Sequence, residues 1–140
     1  MGKIIFDVTE INEGTRFMSI PQYKMRLLDL FTSEEKAETI LLASKDGGGF
    51  IADKYPDFEV KIIDLWKNIW CKLPLFGVFF RSFLYKKTVN SIDADAIFIA
   101  SDLPGYARAR VNKRKISVIH DIKTIKCGKI KKRIKRFVDL

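Results

Sequence analysis

Only one histidine occurs in the chain, and it stands at the end of an apolar run, Lys115-Ile116-Ser117-Val118-Ile119, with an aspartate directly after it. An imidazole ending a buried strand must find a hydrogen-bond partner or face a cleft. The neighbouring Asp121 adds a carboxylate able to orient a polyhydroxylated ligand or to cap the next segment. His120 and Asp121 are therefore the candidate catalytic pair, beside the alternative of a satisfied core histidine. A hydrolytic triad is not supported, because no serine or cysteine sits in a recognisable nucleophile elbow. A single histidine and two distant cysteines, Cys71 and Cys127, give no metal-ligand spacing, and the cysteines read as reduced thiols. No metal and no cofactor are expected.

Other polar residues gather where apolar runs end. Gly14, Thr15 and Arg16 precede a helix start, where a glycine lets backbone approach an anion and an arginine supplies countercharge. Ser101 and Asp102 follow another run. Asp46-Gly47-Gly48-Gly49 follows a third, without the Lys-Ser/Thr of a P-loop or the glycine spacing of a dinucleotide fingerprint, and reads as a turn.

The runs themselves set the fold. Lys3–Val8, Thr39–Ser44, Glu59–Asp64, Ala96–Ala100 and Lys115–Ile119 are short and rich in β-branched residues, as expected of strands buried in a parallel sheet. Ser19 reads as a helix N-cap with Pro21 in the first turn, followed by Ile20, Tyr23, Leu27, Leu28, Leu30 and Phe31 at helical spacing. A second helix is expected to run to about Ser91, with Phe76, Phe80, Phe83, Leu84 and Tyr85 on one face. Five strands separated by crossover stretches predict an α/β fold, an open parallel β-sheet flanked by helices, Rossmann-like, in one domain over 1–140. On such sheets ligands bind beyond the carboxyl ends of the strands, the edge that collects all the residues named above.

The net charge of +9 is unevenly placed. Residues 1–107 hold thirteen Lys/Arg against fifteen Asp/Glu, and residues 108–140 hold thirteen against two. The terminal stretch sets Ile130, Ile134, Phe137 and Val138 on one helical face among cations, with the periodicity still running at Leu140. Phosphates of nucleic acid, of an anionic membrane surface or of a small substrate would all be drawn to it. Nucleic acid is the weaker reading, because the aromatic residues cluster between 50 and 85 instead of among the basic ones of Arg108 to Arg136, leaving no stacking platform. Trp66, Trp70 and Phe76 lie beside Lys67 and Lys72, a composition that favours a membrane interface or a lipid-linked acceptor; the alternative is that these aromatics cap and line the core. The longest apolar run, Leu73 to Phe80, is far short of the roughly 20 residues of a membrane span. The expected compartment is the cytoplasm, with peripheral contact at the inner membrane face.

Taken together, Ile4-Ile5-Phe6-Asp7, the Gly14-Thr15 loop, Asp95-Ala96-Ile97-Phe98 through Ser101-Asp102-Leu103-Pro104, and Val118-Ile119-His120-Asp121 resemble the amino-terminal domain of a GT-B glycosyltransferase of family 4 (group 1). The resemblance implies half of a GT-B fold and transfer of a sugar from a nucleotide-sugar, as substrate, to a glycan or lipid-linked acceptor, as in polysaccharide biosynthesis. It places His120 against the transferred sugar and the Gly14-Thr15 loop near the diphosphate. It also implies a second, nucleotide-binding domain absent from these residues. The chain then reads as truncated at its C-terminal end or as one subunit of a split enzyme, inactive alone. The remaining alternatives are a small basic nucleic-acid-binding module and a non-catalytic, membrane-docking subunit.

Overall fold

The computed structural model describes residues 2–99 and 110–118. Five strands, β1 (Ile4–Asp7), β2 (Thr39–Ser44), β3 (Glu59–Ile63), β4 (Ala96–Ile99) and β5 (Arg114–Ser117), form one sheet in the order β3-β2-β1-β4-β5. Every neighbouring pair is parallel. The expected α/β architecture of Rossmann type is therefore observed. The strand limits differ from the sequence expectation by a residue or two, and β2 agrees at both ends.

Alternation along β1 divides the core into two layers. Ile5 packs with Ile40, Leu42, Ile97, Ile99, Tyr85 and Val89 on the face covered by α4 (Gly77–Ser91). Phe6 and Val8 pack with Leu28, Leu41, Ala43 and Ile51 on the opposite face, beneath α1 (Ser19–Asp29) and α3 (Lys45–Lys54). A strand with both faces covered cannot alternate polar and apolar residues, which explains its unbroken apolar run. The edge strands β3 and β5 carry more exposed positions.

Several local expectations are corrected. Helix α1 begins at Ser19 itself: the cap position is Met18, extended and without a side-chain cap, while Pro21 occupies the first turn as expected. A short helix, α2 (Ser33–Ala37), was not foreseen. It is closed by a reciprocal capping box in which Thr32 accepts from the Glu35 N–H and Glu35 accepts from the Thr32 N–H.

The largest correction concerns Asp46–Gly49, which is not a turn but the opening of α3, with the Ser44 hydroxyl accepting from the Gly47 N–H at 3.2 Å. Two of its three glycines meet neighbouring elements, while a Cβ on Gly49 would meet open space. A Cβ on Gly47 would lie 1.9 Å from the Ile11 carbonyl oxygen, and one on Gly48 would lie 2.1 Å from Ile62 Cδ1. Glycine lowers helix propensity by roughly 1 kcal/mol, but at position 47 only glycine admits the Ile11 backbone this close, whereas at 48 the half-exposed Ile62 side chain could give way.

The expected face of α4 is split between the core and solvent. Tyr85 and Val89 are buried and Leu84 packs against the core, but Phe76, Phe80 and Phe83 turn outward. A Cβ on buried Gly77 would lie 2.5 Å from the Cys71 carbonyl oxygen, so the helix seats its glycine side against the preceding 3-10 turn, Ile69–Lys72.

Candidate functional site

In the order 3-2-1-4-5 the sheet reverses its winding between β1 and β4, the switch point beside whose carboxyl ends sheets of this kind bind ligands. The residue that ends β1 there is Asp7, a buried carboxylate. Its Oδ1 accepts from the Thr9 N–H at 2.9 Å and the Thr9 hydroxyl at 2.7 Å, and its Oδ2 accepts from the Tyr85 hydroxyl at 2.5 Å. One helix donor and one loop residue thus satisfy a polar group that burial alone would make costly.

Directly behind it lies Lys24, on the inner face of α1 and 1% exposed. Its ammonium donates to the Asp7 carbonyl oxygen at 2.9 Å and is ion-paired with Glu10. The Glu10 Oε1 has no partner in hydrogen-bond geometry, so this contact is an ion pair without an aligned hydrogen bond. A buried cation that bridges the last residue of β1 and the first loop carboxylate fixes where the loop leaves the sheet.

The loop then closes on itself. The Thr15 hydroxyl donates to the Glu10 carbonyl oxygen at 2.7 Å and accepts from the Asn12 N–H at 3.0 Å, while the Thr15 N–H donates to Asn12 Oδ1 at 3.0 Å. The Arg16 N–H donates to the Asn12 carbonyl oxygen at 3.0 Å. Gly14 and Arg16 are exposed at the tip, and the Arg16 guanidinium lies 4.6 Å from the Phe17 ring centroid. The Thr15 and Arg16 amides are thus engaged internally, and the Arg16 side chain is exposed at the tip.

Of the residues singled out from sequence, Gly14, Thr15 and Arg16 share this loop, at the carboxyl edge of β1. Trp66, Trp70 and Phe76 share another surface, the connection from β3 to α4, which leaves the sheet at the same edge because the strands are parallel. Ser101, Asp102, His120 and Asp121 lie outside the described residues, as do the basic stretch 119–140 and Cys127. Sequence reading passed over Asp7, Lys24 and Tyr85. A signal was present: Lys24 interrupts the stripe Ile20, Lys24, Leu28, spaced four apart on one helix face, where a cation needs a buried partner.

The β3–α4 surface is apolar and exposed. Fractional exposure runs from 53% at Trp66 to 74% at Phe79, with Trp70, Phe76 and Phe83 between them. Trp70 packs against Phe80, ring centroids 5.8 Å apart. Arg81 holds the connection to the helix, donating to the Cys71 carbonyl oxygen at 2.5 Å and stacking 4.3 Å from the Trp66 ring centroid. From Leu65 to Ile92 the sequence contains no Asp or Glu and five cations, Lys67, Lys72, Arg81, Lys86 and Lys87. Cys71 beneath it is a buried free thiol.

Elsewhere, burial pushes the Tyr55 phenol well above its ordinary value, aided by the Asp29 carboxylate, while the hydroxyl donates to the Met25 carbonyl oxygen. Hydrogen bonds from Lys3 and Lys61 hold the Glu59 carboxyl below its usual range, and burial lowers the Lys115 ammonium. No helix among the described residues is long and apolar enough to cross a membrane.

The fold defines the class: an α/β domain of Rossmann type, a parallel sheet flanked by helices, with its switch point between β1 and β4. No protein-family model, curated protein or solved structure matches the chain.

Proposed function

We propose that the chain is the acceptor-side amino-terminal domain of a GT-B glycosyltransferase, moving a sugar from a nucleotide-sugar to a glycan or lipid-linked acceptor at the cytoplasmic face of a membrane. The observation that carries the reading is the placement, at the carboxyl edge of one parallel sheet, of an internally bonded loop with Arg16 exposed and of an aromatic, cation-rich surface. The sequence adds His120-Asp121 as the pair that contacts the transferred sugar, with Ser101 and Asp102 in the preceding loop.

In this reading Arg16 meets diphosphate charge as the leaving group departs, and Lys24 and Asp7 hold the Arg16 loop in position. The reaction takes the nucleotide-sugar as substrate and uses no further cofactor. Donor binding comes from a second domain, so the natural gene product with any adjacently encoded partner is the material to assay. Transfer of labelled sugar from a panel of nucleotide-sugars to a membrane fraction is expected. His120→Ala should lower it by at least about a hundredfold in a protein that keeps its circular dichroism. Turnover with no donor, or turnover indifferent to His120→Ala, would overturn the proposal. Steeply salt-dependent binding to RNA or DNA that survives His120→Ala would instead favour a basic nucleic-acid module.

A further inference from the structure

The structure assigns the membrane contact to one surface: we infer that Trp66, Trp70, Phe76, Phe79 and Phe83, held on the β3–α4 connection, dock the domain onto an anionic lipid bilayer. The inference deepens the acceptor-side reading and is measured without it, because vesicle binding requires neither donor nor turnover.

Phe76, Phe79, Phe80 and Phe83 follow the i, i+3, i+4, i+7 spacing of a helix face, yet that face is turned to solvent while Gly77, Tyr85 and Val89 face inward. Large apolar side chains concentrated on one exposed face mark a surface with a partner. The Trp70–Phe80 contact and the Arg81 bridge from α4 to Trp66 and Cys71 join the turn and the helix into one continuous, pre-shaped patch.

Charge selects the partner. Twenty-eight residues, Leu65 to Ile92, carry five cations and no carboxylate, and Lys67, Lys72, Lys86 and Lys87 are exposed around the aromatic face. Tryptophan and phenylalanine seated among lysines match the interfacial zone of a bilayer: the rings enter the acyl boundary and the ammonium groups meet anionic headgroups. Because β3 runs parallel to β1, the β3–α4 connection and the Arg16 loop leave the sheet at the same edge, which in this reading brings a bilayer-held acceptor toward the candidate site.

Both tryptophans of the chain lie in this patch, so intrinsic fluorescence reports on it directly. The whole chain is titrated with vesicles of phosphatidylcholine alone and of phosphatidylcholine mixed with phosphatidylglycerol, followed by tryptophan emission and by flotation. The expected result is a blue shift and flotation with the anionic vesicles, weak or no binding to the neutral ones, and quenching by lipids brominated in the acyl chain. The double variant Phe79→Ser, Phe83→Ser should bind at least about tenfold more weakly, since each loses an aromatic group transferred from water. Both positions are exposed, so the variant keeps its fold, which circular dichroism checks.

Flotation without an emission shift would overturn the inference, since it would mean binding through the basic residues beyond 118. Absence of flotation with either vesicle, or unchanged affinity in the double variant, would overturn it as well. So would a concentration-dependent dimer in sedimentation equilibrium that Phe79→Asp dissociates, because a second copy would then be the occupant. Loss of vesicle binding with sugar transfer retained would leave the glycosyltransferase reading standing. Vesicle binding without transfer would leave only the docking surface.

Discussion

Two regions on the same edge of the sheet invert the usual distribution of side chains. Beneath β1, a lysine, an aspartate and a tyrosine hydroxyl lie where apolar groups ordinarily sit. On the β3–α4 connection, two tryptophans and three phenylalanines lie where polar groups ordinarily sit. The buried polar groups are satisfied by one another, so they hold geometry and have little left to offer a ligand. The exposed apolar groups touch one another and Arg81 but keep most of their surface open among the described residues, so they are the groups available to a partner. Satisfaction, more than residue type, separates a positioning region from a contacting one.

The sharpest way to break this contrast is at Lys24. Lys24→Ala removes the cation from the Glu10 pair, leaves the Asp7 carbonyl without its donor and opens a cavity. A loss of about 3–5 kcal/mol in urea unfolding is expected, with Lys24→Met recovering part of it. A loss below about 1 kcal/mol would show the pair to be dispensable.

Tyr85→Phe is the next largest, at about 1–3 kcal/mol, because the buried Asp7 Oδ2 loses the hydrogen bond from the Tyr85 hydroxyl. The two faces of α4 sharpen the comparison further. Val89→Ala, on the buried face, should cost about 1–3 kcal/mol, whereas Phe79→Ser, ten residues earlier on the exposed face, should change stability by less than about 0.5 kcal/mol. Equal costs at the two positions would erase the distinction between the faces.

The smallest effect is confined to alkaline solution. The Tyr55 phenol titrates higher in the folded chain than its ordinary 10.0, so the unfolded chain gives up this proton first. The stability it contributes is whole below pH 10 and falls as pH rises above it. Tyr55→Phe should therefore flatten the alkaline decline in urea midpoint, while costing a little at neutral pH through the lost bond to Met25.

The strands were legible because a parallel strand covered on both faces requires consecutive apolar residues, and Ile4-Ile5-Phe6 or Thr39–Ser44 can hardly serve elsewhere. Helix α3 was not legible, because Gly47 and Gly48 follow from distant contacts with Ile11 and Ile62 that no local pattern records. The facing of α4 failed for a related reason. Its first half is apolar nearly all round, so periodicity gives a helix without choosing a side, and the choice falls to Gly77 packing on Cys71. At the site, the loop of Gly14, Thr15 and Arg16 was found where expected, but the residues that hold it, Asp7 and Lys24, were concealed inside a strand and an apolar helix face.

The fit of Gly47 against Ile11 also has a kinetic consequence. A Cβ at Gly47 would meet the Ile11 carbonyl, so Gly47→Ala must push the first loop and α3 apart. The amide protons of Val8 and Ile11, bonded to the Leu42 and Val8 carbonyls, should then exchange with deuterium faster in Gly47→Ala than in the native chain.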